Sequence, residues 1–145
     1  MKAIKIFSLL FFAATIVSAQ DLRSSEVPQA ITSAFKKDNA KATDVEWKRD
    51  MDNYKVEFDI GRMEHEIWYN ASGEAIKREQ DISKADLPKA VRNAIDSEYP
   101  GFRIDDVEMN WKNNETTYRV ELEKGNEEWK VVFDEDGKIL NKRQD

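Results

Sequence analysis

The chain has 145 residues, no cysteine, and 29 acidic against 23 basic side chains. Two of the basic residues, Lys2 and Lys5, precede position 20, so residues 20–145 carry 21 − 29, or −8. That balance excludes a nucleic-acid binder, which needs a basic patch against phosphate, and argues against adhesion to anionic lipid. With no disulfide to staple it, the fold must rest on its core alone.

The first nineteen residues read as a signal peptide. Lys2 and Lys5 form a positive start, Ile6 to Val17 an apolar run, and Val17-Ser18-Ala19 a small-residue cleavage site. Cleavage is expected after Ala19, which places the protein in the periplasm or outside the cell. Asp21, Arg23 and Glu26 follow at once, so the apolar run is too short to remain as a membrane span, and no stable membrane insertion is expected after cleavage.

Beyond it, "EVPQAITSAF" (26–35) puts Val27, Ala30, Ile31, Ala34 and Phe35 on one helical face. "DLPKAVRNAI" (86–95) repeats the pattern sixty positions later, and Pro28 and Pro88 suit a first turn, where the missing N–H has no helical acceptor. The second helix should end at Tyr99-Pro100-Gly101.

After each helix the period changes from about 3.6 to 2. Tyr54, Val56, Phe58 and Ile60 alternate with charged residues, as do Tyr118, Val120 and Leu122. This is the pattern of antiparallel strands with one face solvated. A strand carrying Val45 and Trp47 is expected before the first set, matched by Val107, Met109 and Trp111. "EHEIWY" (64–69) and "EWKVVF" (128–133) are expected after them. Asn70 to Gly73 and Asp134 to Gly137 read as hairpin turns, followed by short strands at Ala75-Ile76 and Ile139-Leu140.

The pairing Trp47/Trp111 implies an offset of 64, hence four extra residues in the second helix-to-strand link. The expected fold class is α+β, a tandem duplication of a helix plus a four-stranded antiparallel unit. Residues 20–80 form the first αβ4 repeat and 81–145 the second. The two share one domain, because a half of roughly 60 residues is marginal alone. Joined edge to edge, they make a continuous sheet of about eight strands with both helices on one face.

The run "LPKAV…AI…YPG" followed by "W…YRVEL…WKVVFDEDGKIL", after a signal peptide, resembles the PepSY-like, beta-lactamase-inhibitor-protein-like family of exported bacterial proteins. Leu87, Pro88, Val91, Tyr99, Pro100, Tyr118, Val120, Phe133, Asp134, Gly137 and Ile139 carry the match. The first copy lacks the Tyr-Pro pair and has Asn70 in place of Asp134. The resemblance implies a tandem αβ4 fold and an envelope or secreted location, and it transfers no catalytic residues.

Reactive chemistry is sparse in the sequence. His65 is the only histidine and aligns with Trp129, an inward strand position, so packing is the plainer reading than catalysis. Ser72 and Ser83 lack the sequence context of an activated nucleophile. "DEDGK" (134–138) has part of a calcium loop but lacks its bidentate glutamate, and reads as a turn. The glycosylation sequons at Asn70 and Asn114 match too short a pattern to weigh. Glu57, Asp59, Glu121 and Glu123 would need a burying cleft to serve as catalytic acids, whereas an open sheet leaves them ordinary.

What remains is an outward face. Strand parity places Lys48, Lys55, Glu57, Asp59, Glu66 and Trp68 on it, with Lys112, Arg119, Glu121, Glu123, Lys130 and Val132 as their counterparts. Trp68 stands out as an expected exposed anchor; Trp47, Trp111 and Trp129 are expected in the core. The leading expectation is an exported, non-enzymatic binding module holding an unidentified protein or peptide of the cell envelope on this face, with no catalytic residue, metal or cofactor. An inhibitor of an enzyme is one case of it. A small-ligand or Ca²⁺ sensor using the acidic face is the second expectation, and a carboxylate hydrolase the third.

Overall fold

The computed structural model of the chain describes residues 20–145, so the expected signal peptide lies outside the described residues. In chain order these are β1 (Gln20–Leu22), α1 (Gln29–Asp38), β2 (Thr43–Asp50), β3 (Asn53–Ile60), β4 (Met63–Tyr69) and β5 (Ala75–Asp81). Then come α2 (Lys89–Glu98), β6 (Arg103–Lys112), β7 (Glu115–Lys124), β8 (Glu127–Asp134) and β9 (Ile139–Gln144). A 3-10 turn, Ser24–Glu26 or Lys84–Asp86, leads into each helix.

All nine strands form a single antiparallel sheet in sequential order, β1 to β9. The ninth strand is the short β1, which precedes the first helix and pairs Leu22 with Trp47. It adds a member to the eight expected.

Each helix buries the face its spacing marks. Ile31 and Phe35 of α1 pack on Trp47, Val56, Phe58, Ile67 and Tyr69. Val91 and Ile95 of α2 pack on Val107, Tyr118, Val120, Leu122, Val131 and Phe133. Burying one such aliphatic side chain contributes about 1.5–3 kcal/mol, which stands in for the absent disulfides. These strand residues share one sheet face, because the register carries Ile67 opposite Arg78 and Arg78 opposite Trp111. The two helices therefore cover one face through two separate clusters, with Arg78 and Gln80 of β5 between them. The opposite face has no helix over it.

The four extra residues of the second half lie elsewhere than the sequence pattern implies. Trp47 pairs with Val56, and Val107 with Val120, so Trp47 stands where Val107 does, at an offset of 60. Asp50 pairs with Asn53, while Asn110 pairs with Thr117 and is followed by two further pairs, Trp111 with Thr116 and Lys112 with Glu115. The β6–β7 hairpin is thus longer than the β2–β3 hairpin by four residues. Trp111 belongs to that extension, beside the Arg78 guanidinium at 5.8 Å, and lies outside both buried clusters. Its expected place in the core is corrected accordingly.

Two glycines fix how the helices seat. Gly73 and Gly137 end the β4–β5 and β8–β9 turns with φ of +85° and +82°. A Cβ at Gly137 would lie 2.5 Å from the Ala90 carbonyl oxygen, whereas one at Gly73 would meet Ala30 at an ordinary 3.7 Å. Here α2 rests directly on its turn. In both turns the residue at the corner holds the loop: Asn70 Oδ1 accepts the Ser72 and Glu74 N–H groups, and Asp134 Oδ1 those of Asp136 and Lys138. That satisfies the first carboxylate of "DEDGK" as a turn-former.

Candidate functional site

The helix-free face is built from charge pairs across and along its strands, because alternation sends every second residue of each strand to that side. Lys55 sits between Glu57 at 2.7 Å and Glu66 at 2.9 Å, and Lys48 bonds the other oxygen of Glu57. Lys77 bonds Glu79 at 2.6 Å, Arg119 bonds Glu108, and Arg103 bonds Glu123. Lys130 lies 3.4 Å from Glu121 and 3.0 Å from Asp145. Asp59 stands opposite Glu64 on β4. Individually such exposed pairs contribute about 0.2–1 kcal/mol; collectively they hold the side chains in one arrangement.

Trp68 lies on this face as its parity requires, but it is only 8% exposed. Lys55 and Lys77 cover its ring, with their ammonium groups 4.8 and 4.0 Å from the centroid. Its indole N–H donates to Asp50 Oδ2 at 2.7 Å. The expected exposed anchor is instead a platform beneath two lysines: cation–π attraction favours ammonium over an indole, and their stems cover the ring.

The middle of the face differs from its flanks. Glu64, Glu66, Glu79, Asp81 and Glu108 gather around Arg119 at a shallow cleft of about 210 Å³. Burial raises the carboxyls of Glu66, Asp81 and Glu108 above their ordinary range. At Glu66 the like charges of Glu57 and Glu79 add to it, outweighing the Lys55 bond. Glu57 goes the other way: burial opposes its ionisation, but bonds from Lys48 and Lys55 prevail and lower it. Glu57 is thus a settled anion and Glu66 a reluctant one, though both touch Lys55.

This acidic seam was missed in the sequence. Lys77, Glu79 and Asp81 belong to β5, whose "KREQD" shows no apolar alternation, so the strand reads as ending at Ile76. The signal available was its partner: Glu66 and Trp68 of β4 demand a neighbour, and β5 supplies Glu79 and Lys77 opposite them.

His65 faces inward, stacked on Phe58 with ring centroids 5.2 Å apart, and burial lowers its pKa. Among the described residues no group of three or more His, Asp or Glu is arranged to hold a metal ion. None of the described helices is long and apolar enough to cross a membrane. Chemically the face offers paired charges of both signs on a continuous sheet.

Comparison with known proteins places this architecture. The sequence profile of the family described as "Putative beta-lactamase-inhibitor-like, PepSY-like" matches residues 15–64 and again residues 52–141. A BLIP-like protein from Bacteroides fragilis is 29% identical, covering 81% of this chain and 85% of its own, with a TM-score of 0.65. A DUF2874 family protein from Bacteroides uniformis is 23% identical, covering 81% and 88%, with a TM-score of 0.68. A Bacteroides eggerthii protein described as "putative periplasmic" is 20% identical, covering 81% and 88%, with a TM-score of 0.69. The last two likenesses concern the fold alone. None of the curated proteins matches the chain. With the family profile spanning well over half of its length, the chain belongs to the PepSY-like, beta-lactamase-inhibitor-like family.

Proposed function

We propose that this protein is an exported, non-enzymatic binding module of the cell envelope that docks a protein or peptide on the helix-free face of its sheet. One observation carries the reading: that face spans the sheet, is free of helices, and holds its charged side chains in ion pairs both across strands and along them. Groups already fixed lose little freedom on association, so less of the contact energy is spent on ordering them. The acidic seam around Arg119 favours a partner presenting cationic groups, and complementary potentials speed and select encounter. Lys55, Glu57 and Asp59 on one flank, with Glu121, Glu123 and Lys130 on the other, frame that seam, to which Glu66 belongs.

The same reading takes residues 1–19 as the cleaved export signal, with the cut after Ala19, and residues 20–80 and 81–145 as two repeats of one ancestral unit. The matching turns at Asn70 and Asp134 and the constant helix-to-strand offset support the repeat. The periplasmic description of the Bacteroides eggerthii neighbour supports the location. Inhibition of an enzyme is a special case that the beta-lactamase-inhibitor-like name brings to mind for the family.

Affinity capture from envelope extract tests the proposal. The wild-type chain is compared with Arg119→Glu/Glu121→Lys on the outer face and with Arg92→Glu on the helix side. Loss of a captured protein with the outer-face variant alone supports the reading; equal recovery by all three chains refutes it.

A further inference from the structure

On the other side of the sheet, between the last turns of α1 and the start of β2, lies a half-open cleft of about 480 Å³. Phe35 and Trp47, in edge-to-face contact at 5.4 Å, form its inner wall. Ala40, Ala42 and Val45 add apolar lining, Ser24, Thr32 and Asn39 polar lining, and Lys36 an ammonium group. Val45 is 40% exposed. It lies at the β-bulge between Thr43 and Glu46, beside Asp44 at φ +51°.

The second half shows what this backbone holds when it is filled. The residues closing the two helices have nearly the same conformation, φ −126° and ψ 51° at Asn39 against φ −127° and ψ 58° at Tyr99. Ala42 N–H bonds the Asn39 carbonyl as Phe102 N–H bonds that of Tyr99. In α2's half the two positions carry aromatic rings, 5.7 Å apart and nearly perpendicular, packed on the core. In α1's half they carry Asn39 and Ala42. The bulge residue Asp105, ion-paired to Arg103, is replaced by Val45. Where one half supplies its own aromatic rings, the other leaves an opening of mixed lining, walled by Phe35 and Trp47, of a size that small-molecule sites have.

Charge selects among apolar occupants. Lys36 is the one charged group in the lining, whereas clefts at three other places on the described surface, and the adjoining one that shares Ser24, Val45 and Trp47 and adds Asp21 and Glu46, each carry carboxylates. The Phe35 carbonyl at the helix end is already bonded by the Asn39 backbone and side-chain N–H groups at 2.9 and 3.1 Å, so it is not a bare acceptor facing the cleft.

The geometry points to a binding site for an aromatic monocarboxylate in the cleft between α1 and β2, its ring taking the place that Tyr99 and Phe102 take in the other half and its carboxylate meeting Lys36. This site is on the helix side and is independent of docking on the outer face.

The probe is 2-naphthylacetate, with 2-naphthylethanol as its uncharged analogue, titrated into the ¹⁵N-labelled protein spanning residues 20–145. The expected result is saturable binding with shifts concentrated at residues 24–47, and the alcohol binding about 5-fold more weakly, the scale of one partly exposed charge contact. Ala42→Phe and Asn39→Tyr introduce the side chains of the other half on a matching backbone, and circular dichroism checks their fold. Whichever of them folds should weaken binding at least about tenfold, one clash in a filled cleft. Lys36→Gln, at an exposed position, should retain binding and erase the preference for the acid. Shifts that do not saturate, binding undiminished in a folded filled-cleft variant, or a preference that survives Lys36→Gln would overturn the assignment.

Discussion

Beneath α2, Tyr99, Phe102 and Trp129 lean on one another and close the end of the core; beneath α1, the matching positions hold Asn39, Ala42 and His65. The bulk has moved inward, with Phe35 for Ile95 on the helix and Trp47 for Val107 on the strand. The same backbone thus tolerates two distributions of aromatic volume. One seals the core from the helix end and the other from the sheet, leaving a cleft at the helix end. Likeness of fold between the halves does not carry likeness of surface with it.

The largest effect that probes this difference comes from the tryptophans. Trp47→Ala should cost about 3–5 kcal/mol, as for a large core aromatic, while Trp111→Ala should cost about 1 kcal/mol or less, since Trp111 sits in a hairpin extension outside both clusters. Urea unfolding of the two variants measures the gap, and equal losses would restore the equivalence that the sequence pattern implies.

Next come the turn glycines. Both Gly73→Ala and Gly137→Ala force a left-handed residue, at about 1–2 kcal/mol. Only Gly137→Ala also drives a methyl into the Ala90 carbonyl, bringing its loss to about 3–4 kcal/mol with overpacking added. Melts that show matching losses would mean α2 shifts freely off its turn.

A smaller effect belongs to the acidic seam. Glu108 has its pKa raised by burial, so the folded state binds that proton more tightly than the unfolded chain. Its stabilising contribution is complete below the ordinary carboxylate range and is lost as pH rises through the raised value. Glu108→Gln should therefore melt about 1–3 °C above wild type at pH 7, from a few tenths of a kcal/mol, with the advantage vanishing near pH 4. A variant that melts lower at pH 7 would show the Arg119 pair to be net stabilising.

The smallest effect is at His65. Its pKa is lowered by burial, so the stability it confers is present above its unfolded pKa and is lost as pH falls through that value, about 6.5, toward the folded one. Proton NMR should place its midpoint below about 6.5; a midpoint above would contradict packing on Phe58.

Most of the fold was legible because burial imposes period. Ile31, Phe35, Val91 and Ile95 mark the helices, and Val56, Phe58, Val120 and Leu122 the central strands. Legibility failed where sheet pairing substitutes for burial. β5 and β9 are long charged strands held by neighbours, and their own residues alternate nothing apolar. It failed again at the bulge, beside which Val45 is left exposed, and at the β6–β7 hairpin, where a tryptophan at the expected spacing sits in two additional strand pairs. On the candidate face, Lys55, Glu57, Glu66 and Trp68 meet one another as their parity implies. Exposure was the harder quantity, because two lysines from neighbouring strands decide whether Trp68 sees water.

Docking on the helix-free face is tested most directly by a photo-crosslinking amino acid placed singly at residues 57, 79 and 121 on that face, and at 33 and 93 on the helices, in cells that export the protein. The account predicts a common protein adduct from the three sheet positions and none from the two helical ones. Adducts formed only from the helical positions would contradict it.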